Sequence, residues 1–262
     1  MNKPLKNQTA LVTGASKGIG AQIAINLAKA GADLIIIARN ETNLNKVKSL
    51  IEAQNQKCLS LICDVSQDLD LNNVLDLSLT KTSRIDILVN NAGIYATESI
   101  FDFTINTWNK VINTNLTHCM LTIAKLAPQM KVQNYGRIIN ISSISGTNGE
   151  IYSCAYSAAK AGLVGMTKTL AQELARYNIT INCVSPGWVD NEMALKQMND
   201  PYWCELNNVK VQDSAQIARL AIPSQRLIKE TEIASLVNFL VSFEAKSITG
   251  QNINICGGLS LV

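Results

Sequence analysis

Charge is scarce in this chain. Only 16% of its 262 residues are Asp, Glu, Lys or Arg, against roughly 25% in an average soluble domain. So poor a surface suggests coverage by partner subunits, since exposed apolar patches mark interfaces; a large core under a neutral polar surface is the other reading. Lys plus Arg number 23 and Asp plus Glu 20. That near balance, with no block of five or six like charges, argues against nucleic acid as a partner. Long apolar runs are missing too. Stretches such as 34–38 fall far short of the ~18 residues that a membrane span needs. The start, MNKPLKNQTALVTG, enters an apolar strand too early for a signal peptide. The cysteines, at 58, 63, 119, 154, 183, 204 and 256, form no CxxC pair and are odd in number. Neither a zinc site nor a disulfide framework is indicated, and Cys63, Cys183 and Cys256 read as reduced core residues of a cytoplasmic protein. Histidine occurs once, at 118 in a helical stretch, and reads as a packed or interface residue.

What is present is alternation. Apolar runs of strand length (9–13, 33–38, 58–62, 86–90, 137–141, 180–184, 252–255) take turns with stretches of helical period (19–30, 41–54, 67–80, 104–132, 155–177, 229–242). This predicts one α/β domain over 1–262, a Rossmann-type, doubly wound, seven-stranded parallel sheet with helices on both faces. Residues 190–224, rich in Met, Pro and Trp without one clean period, read as a lid over the strand ends where ligands bind.

After the first strand comes Thr13-Gly14-Ala15-Ser16-Lys17-Gly18-Ile19-Gly20. Glycines here permit a tight turn and let backbone approach a pyrophosphate at the positive end of the next helix. The spacing is GxxxGxG, so the dinucleotide signal rests on its strand-to-helix setting. The second strand ends Ala38-Arg39-Asn40, where an NAD enzyme would carry an acid for the ribose hydroxyl. Arg39, with Lys17 in the turn, suits a 2′-phosphate and predicts NADP(H). Asp64, followed by Val65, reads equally as an acceptor for the adenine amino group or as a helix cap.

Tyr156 and Lys160 stand four residues apart, on one face of a helix. A phenol that ordinarily titrates near 10 is a poor catalyst at neutral pH, and bringing it there takes about 4 kcal/mol. A cation at ~4 Å supplies about 1 kcal/mol in water but about 4 at an effective dielectric of 20, so Lys160 suffices only in a partly dry cleft.

These residues, with Asn90-Asn91-Ala92-Gly93, Asn115, Ser143 and Pro186-Gly187 in the same order, resemble the short-chain dehydrogenase/reductase family over nearly the whole chain. The resemblance implies that Tyr156 donates a proton to a ketone oxygen that Ser143 orients, with Ser142 as the competing serine. It implies that Lys160 binds the nicotinamide ribose and lowers the Tyr156 pKa, and that Asn115 holds a water relaying protons to Lys160. Asn91, Ala92 and Gly93 would line the adenosine ribose, and Val189 would offer its backbone to the carboxamide. Asn191 stands where many members have Thr. Two groups look similar: 3-oxoacyl-[acyl carrier protein] reductases, and ketoreductases of aromatic (type II) polyketide synthesis. The Tyr152–Lys160 and 252–259 segments lean to the second, although Ile94-Tyr95-Ala96 replaces its usual Pro-Gly-Gly. Tyr95, Ser145, Tyr152, Trp188, Met193, Tyr202 and Trp203 are the candidate substrate contacts. The aromatic and methionine content of the lid (Trp188, Met193, Met198, Tyr202, Trp203) fits a bulky apolar ketone, or else serves to bury the lid against its own domain. Lys131, Arg137 and Arg176 read equally as a modest basic patch for docking a carrier protein or as solvated surface charges, and the resemblance implies that the helices 104–132 and 155–177 pair in a homotetramer.

Overall fold

The computed structural model describes residues 3–261, leaving Met1, Asn2 and Val262 of the expected domain outside the described residues. Among these, seven strands form one parallel sheet: β1 (Thr9–Thr13), β2 (Asp33–Ala38), β3 (Cys58–Ile62), β4 (Ile87–Asn90), β5 (Gly136–Ile141), β6 (Ile179–Pro186) and β7 (Asn252–Ile255). Their order is β3-β2-β1-β4-β5-β6-β7. The chain thus winds outward from β1 to β3, then restarts at β4 on the other side of β1. Such a reversal opens a crevice at the carboxyl ends of β1 and β4.

Side chains alternate across the sheet as the period of two requires. Ala10, Val12, Leu34, Ile36, Ile87 and Val89 enter one core, under α1 (Gly18–Lys29), α2 (Glu41–Glu52) and the late helix over Glu230–Val241. Leu11, Ile35, Ile37 and Leu88 enter the other. That second face packs α3 (Asp68–Lys81) and the two long helices over His118–Val132 and Cys154–Leu174. Fully burying each aliphatic side chain contributes roughly 1.5–3 kcal/mol, and β1, β2 and β4 accordingly read as near-continuous apolar runs.

The expected single helix over 104–132 is interrupted. It runs as α4 (Ile105–Ile112), a π-helical turn at Asn113–Thr117, and α5 (His118–Val132). Such a turn adds a residue to the helix and re-aims its side chains; here it carries Asn115. After β5 come a single turn, α6 (Ser145–Asn148), and α7 (Cys154–Leu174). The lid is also more regular than its mixed composition suggested, forming α8 (Glu192–Met198), α9 (Pro201–Leu206) and α10 (Val211–Ala221) before α11 (Glu230–Val241). Asn191 caps α8 by accepting from the Ala194 N–H at 3.0 Å, which gives that amide a local role. Asp200 caps α9 by accepting from the Trp203 N–H at 2.9 Å, with Pro201 in the first turn.

A buried polar chain stiffens the sheet behind the crevice. Thr122 donates to Asn90 at 2.7 Å, Asn90 to Asn140 at 2.9 Å, and Asn140 to Thr167 at 2.9 Å. Each member is partnered, which is the condition under which buried polar groups specify a packing instead of weakening it.

Candidate active site

A cavity of about 840 Å³ opens at the carboxyl ends of β1, β4 and β5. At one end lies the glycine turn. Gly14 and Gly18 have φ of +68° and +64°, the left-handed region that favours glycine. A Cβ on Gly14 would stand 2.7 Å from the Ala92 Cα, and one on Gly20 would collide with the Gly14 carbonyl. This close approach is held by Asn91, whose amide donates to the Thr13 and Gly14 carbonyls at 3.0 and 3.2 Å. Thr13 Oγ1 accepts from the Asn91 and Ala92 N–H groups. At the start of α1, Lys17 makes no side-chain cap and the first turn holds no acid. Its N–H groups, walled by Ser16, Lys17, Gly18 and Ile19, therefore suit a pyrophosphate.

Arg39, Asp64 and Val65 line the next part of the cavity. Arg39 is 64% exposed and only loosely paired, 3.5 Å from Asp64. Asp64 is not the cap of α3, a place held by Gln67; it accepts from the Ser66 N–H and hydroxyl at 3.0 and 2.8 Å. Burial pushes its carboxyl up, but the Ser66 bonds and the Arg39 charge outweigh this and hold it below the usual range. Lys17 does not stand free beside Arg39: its ammonium meets Glu192 of the lid at 2.7 Å.

At the other end stand Ser143, Tyr156 and Lys160. The two serines at the end of β5 diverge. Ser142 donates to the Lys160 carbonyl at 3.0 Å and so fastens α7 to the sheet. Ser143 Oγ donates to Ser145 Oγ at 3.0 Å and accepts from the Ser145 N–H at 3.1 Å. Lys160 is buried, and its Nζ donates to the Ile141 carbonyl at 2.8 Å, 5.5 Å from the Tyr156 ring centre. Gly93 makes room for this: a Cβ there would meet Asn115 Oδ1 at 3.0 Å and Lys160 Nζ at 3.7 Å. The Asn115 amide is committed to Ile94, accepting from its N–H and donating to its carbonyl, both at 2.8 Å. Asn115 thus positions the 93–95 segment. Val189 joins Ile228 in a bridge that uses the Trp188 carbonyl and the Asp190 N–H, which turns the Val189 N–H to the opposite side. Pro186 and Gly187 complete that wall.

The phenol does not behave as the Tyr-Lys spacing suggested. Burial pushes Tyr156 up to about 12; a Ser143 hydrogen bond pulls it down, and the Glu150 charge adds to the rise. Burial is the dominant influence on both members of the pair, since it also pushes Lys160 below its ordinary value.

Of the expected substrate contacts, Tyr95, Ser145, Trp188, Met193 and Trp203 line the cavity and Tyr152 and Tyr202 do not. Tyr202 lies outside, donating to Asp102 at 2.8 Å. Tyr152 adopts a left-handed φ of +59°, and its carbonyl accepts from the Glu98 N–H. Trp188 and Trp203 meet edge to face at 6.0 Å. The basic docking patch also fails. Arg137 is 1% exposed, donates to the Gly136 and Asn178 carbonyls and lies over the Tyr135 ring. Lys131 and Arg176 do meet over Tyr177, but at the end of the sheet away from the cavity. Glu150 and Gln197, which the sequence did not single out, both reach the cavity wall. They come from a loop and from the lid, where no periodicity marks a side chain's direction.

Residues 8–201 match the family model of the short chain dehydrogenases. A 3-oxoacyl-[acyl-carrier-protein] reductase FabG of Staphylococcus epidermidis is 36% identical over 254 residues, 97% of this chain and 99% of its own. Two solved structures superpose with TM-scores of 0.93. One is an actinorhodin polyketide ketoreductase with NADPH, 31% identical and covered fully in both chains. The other is an NAD+-bound xylitol dehydrogenase, 29% identical over 98% of this chain and 100% of that one. Motif order, sheet order and whole-length likeness to enzymes that interconvert carbonyls and alcohols agree, and the chain belongs to the short-chain dehydrogenase/reductase family of oxidoreductases.

Proposed function

We propose that this enzyme uses NADPH to reduce a β-keto group of an acyl or polyketide thioester to the alcohol, in type II polyketide synthesis. The observation that carries this reading is the cavity's two-ended character. A cationic residue, Arg39, lies at the adenosine end, and an aromatic wall of Trp188 and Trp203 lies on the side of Tyr156. Bound NADPH supplies the hydride to the carbonyl carbon. Tyr156 Oη gives its proton to the carbonyl oxygen, and a phenol near 12 remains a proton donor throughout the neutral range. Ser143 holds that oxygen once its proton turns from Ser145 to the substrate. Lys160, with one N–H on Ile141, keeps two donors for ribose hydroxyls.

Cofactor preference follows from the same geometry. Arg39→Ala lowers the NADPH-to-NADH ratio of kcat/KM roughly 10- to 100-fold, the value of one hydrogen bond to a charged group. Lys17→Ala has a smaller effect, because Glu192 competes for that ammonium. Wild-type rates faster with NADH than NADPH would remove the cationic argument.

The direct test compares trans-1-decalone, which mimics a cyclised polyketide, with an acetoacetyl thioester. Turnover of decalone supports the polyketide reading. Turnover of the thioester alone moves the enzyme to 3-oxoacyl reduction in fatty-acid synthesis, with a carrier protein as partner. Turnover of neither, with oxidation of a steroid or small alcohol, makes it an alcohol dehydrogenase. The reading includes a cytoplasmic homotetramer packed across α4–α5 and α7, which light scattering tests. Among the described residues no helix is long and apolar enough to cross a membrane.

A further inference from the structure

Glu150 is a carboxylate in the wall of a cavity that Tyr95, Trp188, Met193 and Trp203 also line. It sits in the loop between α6 and α7, half-buried. Its Oε2 accepts from Ser145 Oγ at 2.8 Å. Its Oε1 accepts from Gln197 Nε2 at 2.6 Å and from the Tyr95 hydroxyl at 3.1 Å. An ionised carboxylate offers about four acceptor sites, so three donors leave one. No lysine or arginine among the described residues forms an ion pair with it. Its charge is therefore felt by what shares the cavity, and it helps to raise both the Tyr156 and the Tyr95 phenols, after burial.

Position gives that charge a consequence for substrates. Two hydrogen bonds, of 3.0 and 2.8 Å, lead from Ser143 Oγ through Ser145 to Glu150. A group attached close to a carbonyl on Ser143 therefore lies within reach of the carboxylate. Resting on the ketone-reducing reading of this cavity, we infer that Glu150 determines specificity: it accepts a hydrogen bond from a hydroxyl or enol hydroxyl carried beside the ketone, and it repels ketones that carry a carboxylate there. The favoured substrate class is a hydroxylated or enolisable ketone, and 2-oxo acids are excluded. Gln197 brings the lid onto the same carboxylate, so the donor that completes the fourth site is enclosed by the wall that carries Trp203.

Acetophenone, 2-hydroxyacetophenone and benzoylformate test this on one scaffold, the group beside the carbonyl being methyl, hydroxymethyl or carboxylate. Their kcat/KM values with NADPH are measured for wild type, Glu150→Gln and Glu150→Ala, with thermal melting to show that each variant is folded. Wild type should favour the hydroxyketone over acetophenone roughly tenfold or more, as a hydrogen bond to a charged acceptor provides, and should reduce benzoylformate least. Glu150→Ala should bring the hydroxyl preference close to unity. Glu150→Gln, which still accepts through its amide oxygen, should keep part of that preference yet lose the discrimination against benzoylformate. A residue that merely braces the loop would lower all three substrates alike when replaced. The same substrate ratios in Glu150→Ala as in wild type, or a wild type without preference for or turnover of the hydroxyketone, would overturn the inference. Failure with decalone and the thioester, alongside the expected order of aryl ketones, sinks only the polyketide reading.

Discussion

Tyr156→Phe lowers kcat for ketone reduction roughly 10²- to 10⁴-fold, the range over which a positioned general acid contributes, while NADPH still binds. The residue is half-buried, and removing one hydroxyl from it leaves the ring and its edge-to-face contact with Tyr95 at 5.1 Å in place. The loss thus appears in kcat, with little change in the melting temperature. The pH profile gives the sign. With burial holding the phenol at about 12, the proton-bearing form persists, and reduction is flat between about pH 6 and about pH 9. Alcohol oxidation needs the phenolate and climbs as pH rises towards 12. A reductive rate in Tyr156→Phe near that of wild type would remove Tyr156 from the mechanism. A reductive rate falling from neutral pH upward would show that bound ligand reverses the effect of burial.

Acid should destabilise the fold through His118. Burial, and then the nearby Lys160 ammonium, push this imidazole down to about 4, whereas an unfolded histidine titrates near 6.5. The folded value is the lower one, so the unfolded chain binds the proton more readily between these values. Stability from His118 is fully present above about pH 6.5 and is lost as pH falls towards 4. At 1.36 kcal/mol per unit of pH the loss is of order 3 kcal/mol. His118→Gln should reduce this acid slope, read as the difference in urea midpoint between about pH 7 and about pH 4.5. Equal slopes in the two proteins would refute it. The site shares the consequence. The imidazole contacts Thr13 Oγ1 at 3.5 Å, the atom that receives the Asn91 and Ala92 amides, so protonation acts on the join between glycine turn and nicotinamide end.

Much of this was legible because the signals were local. Four strands, 9–13, 33–38, 58–62 and 252–255, appear with the bounds their sequence runs implied; 9–13 and 33–38 are buried along nearly their whole length, where few polar residues fit. The glycine turn announced itself because only glycine tolerates φ near +68° against a neighbouring backbone. What escaped depended on distant partners. Arg137 looked like surface charge, yet its guanidinium finds the Asn178 carbonyl, 41 residues away. Glu150 meets Tyr95 and Gln197, 55 and 47 residues away, and nothing in its flanks points to either. The π-helical turn left no trace in the 3.6 period. The lid helices did leave one, in Asn191 and in Asp200-Pro201, but caps on helices of six or seven residues are weak against a background of turn-forming residues.

The bridge between Val189 and Ile228 places the two ends of residues 190–227 side by side. A segment whose ends already touch behaves as a handle set on the sheet, and lengthening or exchanging it costs little in loop closure, about 0.6 kcal/mol for each doubling. New substrate ranges are therefore open to transplantation: a foreign lid cut at this bridge meets the same anchorage, while the glycine turn, Ser143, Tyr156 and Lys160 stay in the parent sheet and its flanking helices.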